Sequence, residues 1–337
     1  MDWKELYAAW DADDFSPVYL FHGDEEYIKK SALDRLRGKI LPPGLEALNE
    51  TLLEGAVSAE KVIEAAETLP MMCERRLVVV KDWALVSSGR SAGEGDEADR
   101  FIKWLPDAPD SCVLVLYTRG KADGKKKCTK ELKKHEVLFE QLDDQTLTKW
   151  LRARAKENGA LIGPDACDAL VFAAGRDLTR LAGEIGKLSS YAGKGGEISA
   201  ADVRSLVTPT AESTVFEMID ALTAGRFALA QNLLKGLLVM GENRVRILYM
   251  ITRQVRLLCL TRELIEQRAA QPQVQSALGV TSYGAKRLIE QARRMKKEPL
   301  ERAYRECVDA EFAIKSGRWR DEAALDRIML LLRAGLK

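Results

Sequence analysis

Between residues 18 and 140 the chain repeats one alternation: a short run of β-branched and aromatic residues, then a stretch with apolar residues at helical spacing. The apolar runs are 18–23, 50–54, 76–81, 111–117 and 136–140. Helical stripes separate them: Ile28, Ala32, Leu33 and Leu36; then Val62, Ile63, Ala66 and Leu69 behind Ser58, a capping residue; then Ala98, Ile102 and Leu105. Near-continuous apolar strands have no polar face to turn to water, so helices must cover both sides of the sheet, which is the parallel α/β arrangement. Residues 1–141 are therefore expected to form a parallel-sheet domain.

The alternation then stops. In 142–208, Asp143-Asp144-Gln145-Thr146 precedes a stripe at Leu147, Trp150, Leu151 and Ala155, which Asn158-Gly159 closes. Further helices are expected at 165–174 and 177–191, with a short one behind Ser199, giving a small all-α unit. Thr208-Pro209-Thr210 reads as a boundary, because proline cannot continue a helix and pushes its predecessor toward extended geometry. Six helical stripes fill 209–337 (215–222, 229–238, 245–264, 285–295, 300–314 and 325–336), with no convincing strand. The expected architecture is α/β plus all-α, in three domains: 1–141, 142–208 and 209–337.

Composition excludes several functions. The 337 residues carry 52 Lys+Arg against 51 Asp+Glu, so a uniformly basic nucleic-acid binder is ruled out. Divided by domain the net charge is −6, 0 and +7, which points the last domain toward a polyanion or an acidic partner. No apolar stretch approaches membrane length and Met1-Asp2-Trp3-Lys4-Glu5 is no signal peptide, so a cytoplasmic protein without membrane contact is expected. The six cysteines stand singly and there are two histidines, so neither a metal site nor a disulfide framework is expected.

The turn after the first strand invites a test for a phosphate loop, which needs G-x-x-x-x-G-K-[ST]. From Gly23 the frame reads Asp24-Glu25-Glu26-Tyr27-Ile28-Lys29-Lys30. Lys29 stands at the required spacing, but Ile28 replaces the second glycine, Lys30 the magnesium hydroxyl, and three carboxylates crowd the place of the triphosphate. The acidic strand-end partner is likewise incomplete, with Asp82 followed by Trp83. The phosphate loop is broken, and no cofactor is expected.

A sheet of this kind with a broken phosphate loop, a small helical unit and a C-terminal helical bundle resembles a clamp-loader subunit. The residues narrow the resemblance. Pro17-Val18-Tyr19-Leu20-Phe21-His22-Gly23-Asp24-Glu25, Leu69-Pro70-Met71-Met72-Cys73-Glu74-Arg75-Arg76 with the strand to Val80, and the helices at 147–155, 177–188, 216–222 and 309–317 are similar, in order and spacing, to the delta-subunit family of the bacterial DNA polymerase III clamp loader. The resemblance implies a degenerate AAA+ (P-loop NTPase-like) domain, a helical lid and a helical collar. It further implies a subunit of the polymerase holoenzyme that binds the beta sliding clamp and helps open the ring for ATP-driven loading onto primed DNA, without hydrolysing ATP itself. The implied partners are the beta clamp, the tau/gamma and delta-prime subunits through the collar, and primer-template DNA.

By position, the resemblance places the clamp contact on Leu69, Pro70, Met71 and Met72. Pro70 interrupts the helix that carries Val62 and Ala66, so the two methionines lie on a turn before the strand at Leu77; methionine suits a contact that must form and release. The competing reading has Met71 and Met72 filling the core. Arg318-Trp319-Arg320, in a loop between collar helices, is a candidate DNA contact in which Trp319 stacks an unpaired base; alternatively Trp319 anchors a helix start. The lysines at 121, 125, 126, 127, 130, 133 and 134 read as a solvated helix face, with phosphate contact as the alternative. Two other functions stay open: an active AAA+ ATPase, and a DNA-binding scaffold unrelated to the clamp.

Overall fold

In the computed structural model, which describes residues 1–88 and 94–335, the five apolar runs become the strands of one sheet. They are β1 (Val18–His22), β2 (Glu50–Glu54), β3 (Arg76–Lys81), β4 (Cys112–Tyr117) and β5 (Glu136–Leu138), in the order β2-β3-β4-β1-β5. Every neighbouring pair is parallel, with Leu20 level with Leu116 and Glu136, and Val79 level with Leu52 and Val115. The connecting helices are α1 (Trp3–Asp11), α2 (Glu26–Ile40), the single turn α3 (Glu46–Asn49), α4 (Ala59–Glu67), α5 (Glu94–Trp104) and α6 (Lys127–Glu131).

Both faces of the sheet are buried, as the apolar runs require. Alternate residues Val18, Leu20, Val78, Val80, Leu114 and Leu116 share a core with Val62 and Ala66 of α4 and Phe101 of α5. On the opposite face Trp10 of α1 packs edge-on to Tyr19 and donates to its hydroxyl at 3.0 Å, while Phe21 meets Phe139. Each such fully buried large side chain contributes about 2 to 3 kcal/mol. The helix α1 adds to the elements expected from the apolar pattern. Its signal is a capping box: Asp2 accepts from the amides of Lys4 and Glu5, and Glu5 accepts from the amide of Asp2.

The chain divides into two compact units, Met1–Leu142 and Asp143–Lys337. The second starts with α7 (Asp144–Glu157), capped by Asp143, and continues through β6 (Leu161–Ile162), α8 (Pro164–Ala174), α9 (Leu178–Ala192), β7 (Glu197–Ile198) and α10 (Ala200–Leu206). Residues 142–208 are thus not wholly helical: β6 and β7 pair in parallel over two residues each, too short to register as strands in the sequence pattern. The bundle that follows is α11 (Ala211–Thr223), α12 (Phe227–Val239), α13 (Arg244–Glu266), α14 (Gln271–Leu278), α15 (Ser282–Arg293), α16 (Lys297–Lys315) and α17 (Asp321–Gly335). The helix beyond the six expected stripes is α14, whose Pro272 sits in the first turn, where a missing N–H is harmless. Val215, Ile219, Ile247, Ile251, Leu258, Leu288, Cys307 and Ile328 build the bundle core. Phe172 of α8 packs edge-on against Phe216 of α11 and Tyr283 of α15, and the amide of Thr210 donates to Ala173, so the short helices and the bundle share one unit.

Candidate functional site

The helix α4 starts at Ser58, whose hydroxyl accepts from the amide of Lys61, and stops at Thr68, whose backbone has turned extended two residues before Pro70. Seven residues, Leu69 to Arg75, then bridge to β3. Leu69 is 73%, Met71 55% and Met72 85% exposed, while Pro70 is half-buried. These exposures overturn the reading of the two methionines as core filling. Met72 has φ +58, a left-handed conformation unusual for a residue other than glycine.

Two buried side chains hold this loop. Asn49, at the end of α3, donates from Nδ2 to the carbonyl of Met71 at 2.9 Å and accepts the amide of Met71 on Oδ1 at 2.7 Å. Arg76, the first residue of β3, donates to the carbonyl of Thr68 at 3.2 Å and to the hydroxyl of Thr51 at 2.8 Å. Beside the loop lies a polar cavity of about 530 Å³, lined by Asp13, Phe15, Lys39, Cys73, Glu74 and Arg75 among others.

The broken phosphate loop lies in the same unit, and its lysine is turned inward. Lys29 is fully buried and its Nζ donates to the carbonyls of Gly23 (2.8 Å) and Thr118 (2.7 Å) and to Glu26 Oε1 (2.6 Å), which uses all three of its hydrogens. Glu26 also accepts from the hydroxyl of Tyr117 and the amide of Gly120. Burial pulls the Lys29 pKa below its ordinary value against the opposing pull of Glu26. Gly23 has φ +118, and a Cβ there would lie 2.2 Å from the carbonyl oxygen of Phe139. Asp82 is a turn residue at φ +48 that accepts the amide of Arg119 and pairs with its guanidinium.

In the second unit, Arg318 and Arg320 are exposed in the turn between α16 and α17, and neither makes an ion pair among the described residues. Trp319 is half-buried against the bundle core, with the Arg327 guanidinium 4.9 Å from its ring centre. The exposed aromatic beside this turn is Phe312 (62%), with the Arg318 guanidinium 5.1 Å from its ring centre; its place in a helical stripe hides it in the sequence pattern. Of the lysines in 121–134, Lys126 is buried and bonds the carbonyl of Ala84, and Lys127 pairs with Asp99 at 3.1 Å. Among the described residues no group of three His, Cys, Asp or Glu side chains is placed to hold a metal ion, and no helix is long and apolar enough to cross a membrane.

The first unit is thus a parallel five-stranded α/β fold whose phosphate-spaced lysine is bonded inward, and a helical unit follows it. The sequence matches the family "DNA polymerase III, delta subunit" over residues 19–141 and "DNA polymerase III delta subunit, C-terminal domain" over 212–332. The chain belongs to the DNA polymerase III delta-subunit family. It is 28% identical over 335 residues to DNA polymerase III subunit delta of Bacillus subtilis, covering 98% of this chain and 95% of that one. It is 24% identical over 246 residues to the "Probable DNA polymerase III subunit delta" of Aquifex aeolicus, covering 70% and 67%. The solved Bacillus subtilis DNA clamp loader delta protein superposes with a TM-score of 0.59 at 26% identity, covering 98% of this chain and 99% of that one.

Proposed function

We propose that this clamp-loader delta subunit grips the beta sliding clamp through Leu69, Pro70, Met71 and Met72 and helps open the ring. The observation that carries this reading is three large apolar side chains exposed together on one loop, two of them methionines. Such side chains gain free energy by entering an apolar pocket on a partner, and methionine's flexible thioether adapts to one. A grip opens a ring only in so far as it binds the open form better than the closed form, since a ligand shifts an equilibrium by its differential affinity.

In this reading the subunit hydrolyses no ATP itself. The satisfied Lys29 ammonium supports that over an active ATPase, because reaching a phosphate requires breaking three hydrogen bonds. Loading is driven by ATP on the tau/gamma subunits, which join this chain and delta-prime through the collar, 209–337; 142–208 serves as the lid and 1–141 as the degenerate AAA+ domain. The assembly works on primer-template DNA in the cytoplasm, with Arg318, Trp319 and Arg320 beside the DNA. For Trp319 the side chain's packing favours an anchoring role, leaving the two arginines as phosphate contacts.

The test is capture of the beta clamp by the full chain and by the Met71→Ala/Met72→Ala variant. The wild type is expected to retain the clamp and the variant to lose most of it with an unchanged melting curve. Equal retention by both removes this loop from the contact.

A further inference from the structure

We infer that Asn49 is a positioning residue that holds Met71 and Met72 in their presented conformation; this rests on the clamp-contact reading above. Its side chain is fully buried and adds one rung of pairing where the sheet has none. The register of β2 against β3 begins at Glu50 and Leu77, so Met71 lies outside the ladder, yet both its backbone groups are paired by the Asn49 amide. Nδ2 also donates to the carbonyl of Leu45, which leaves the amide no free hydrogen and fixes its rotamer.

The loop needs such a hold. Met72 at φ +58 occupies a conformation that residues with a Cβ disfavour, and its exposed side chain has no packing to keep it there. Arg76 ties the start of the loop at Thr68 but reaches no further than the residue before Leu69. Asn49 therefore fixes the residue immediately before the strained one. When the hold is lost the loop samples other conformers, and apparent affinity falls by the fraction of chains still in the binding conformer. The isosteric acid makes the same point through charge: a carboxylate at 49 accepts the Met71 amide but faces the carbonyls of Met71 and Leu45, and only its protonated form has a hydrogen to donate, to one of the two.

The experiment uses the full chain with Asn49→Ala and Asn49→Asp. Clamp affinity is measured by surface plasmon resonance and exchange of the Met71 amide by hydrogen–deuterium NMR. Asn49→Ala is expected to bind the clamp roughly tenfold more weakly, with Met71 exchanging as fast as an open loop and the amides of Val78 and Val79 unchanged. Asn49→Asp is expected to bind weakly at neutral pH and to recover toward the wild type as the pH falls toward about 5, with urea melts at each pH showing a fully folded chain throughout, so that the recovery belongs to the loop and not to global stability. Affinity within twofold of wild type for folded Asn49→Ala, or an unchanged Met71 amide, overturns the inference. Where Asn49→Ala fails to fold, an Asn49→Asp chain without pH-dependent recovery overturns it equally. Loss of binding in Met71→Ala/Met72→Ala with full retention in Asn49→Ala refutes the positioning role alone; retention in both refutes the contact as well.

Discussion

Replacing Lys29 by methionine tests whether the phosphate-spaced lysine has become a strut. The substitution keeps an unbranched side chain of similar length in a fully buried position and removes all three hydrogen-bond donors. The carbonyls of Gly23 and Thr118, at the ends of β1 and β4, lose partners away from water, at about 1 to 2 kcal/mol each. Glu26 loses little, since its side chain is half exposed and keeps the Tyr117 hydroxyl and the Gly120 amide. Relief of the buried ammonium's desolvation offsets part of the loss. The net expectation is about 2 to 3 kcal/mol, which for a unit of this size lowers the melting temperature by roughly 6 to 12 °C. Trp10 and Trp83, both buried in the first unit, report its unfolding by fluorescence. A variant that melts within about 2 °C of the wild type refutes the strut. So does a wild-type chain that ATP stabilises and a Lys29→Met chain that it does not, which makes Lys29 a phosphate ligand instead.

Other outcomes follow from the same geometry. Met71→Ala/Met72→Ala removes about three apolar groups per side chain; weighted by exposures of 55% and 85%, the loss on a partner is about 3 kcal/mol, or roughly 100-fold in clamp Kd by titration. Gly23→Ala drives a Cβ into the Phe139 backbone at 2.2 Å in a left-handed conformation, and its soluble yield is expected to collapse in a small-scale expression comparison. Burial, opposed by Glu136 at 2.7 Å, pulls the His22 pKa below 6.5. The unfolded chain then binds a proton first, so stability is lost as the pH falls from about 6.5 through the folded pKa, and His22→Gln is expected to flatten that part of a pH series of urea melts.

The strands and most helices were legible because their signals are local. Ser58, Asp143, Asp177, Ser199 and Thr210 each cap the helix that follows. The elements that escaped were quiet: α1 rests on a capping box rather than a long stripe, α14 is eight residues with a proline in its first turn, and β6 and β7 span two residues each. At the site, chain order brought out Pro70 as a helix stop, but exposure of Met71 and Met72 depends on what the fold leaves uncovered, which residue type does not encode. Asn49 stands 22 residues from Met71 and looks like any turn asparagine until the sheet brings them together. Lys29 held the spacing of a phosphate ligand, and only the approach of Thr118 from β4 reveals its true partners.

The exposed thioethers carry a chemical consequence. Met72 is the most exposed methionine among the described residues, with Met71 beside it, whereas Met218, Met250 and Met295 are sealed in the bundle. Peroxide converts such a side chain to a polar, chiral sulfoxide. Oxidant therefore reaches this loop well before it reaches the core, and on the proposed clamp contact a chain that is still fully folded loses its hold on an apolar pocket. Reductase repair of the two sulfur atoms then restores it, which makes the proposed contact reversible by oxidation as well as by dissociation.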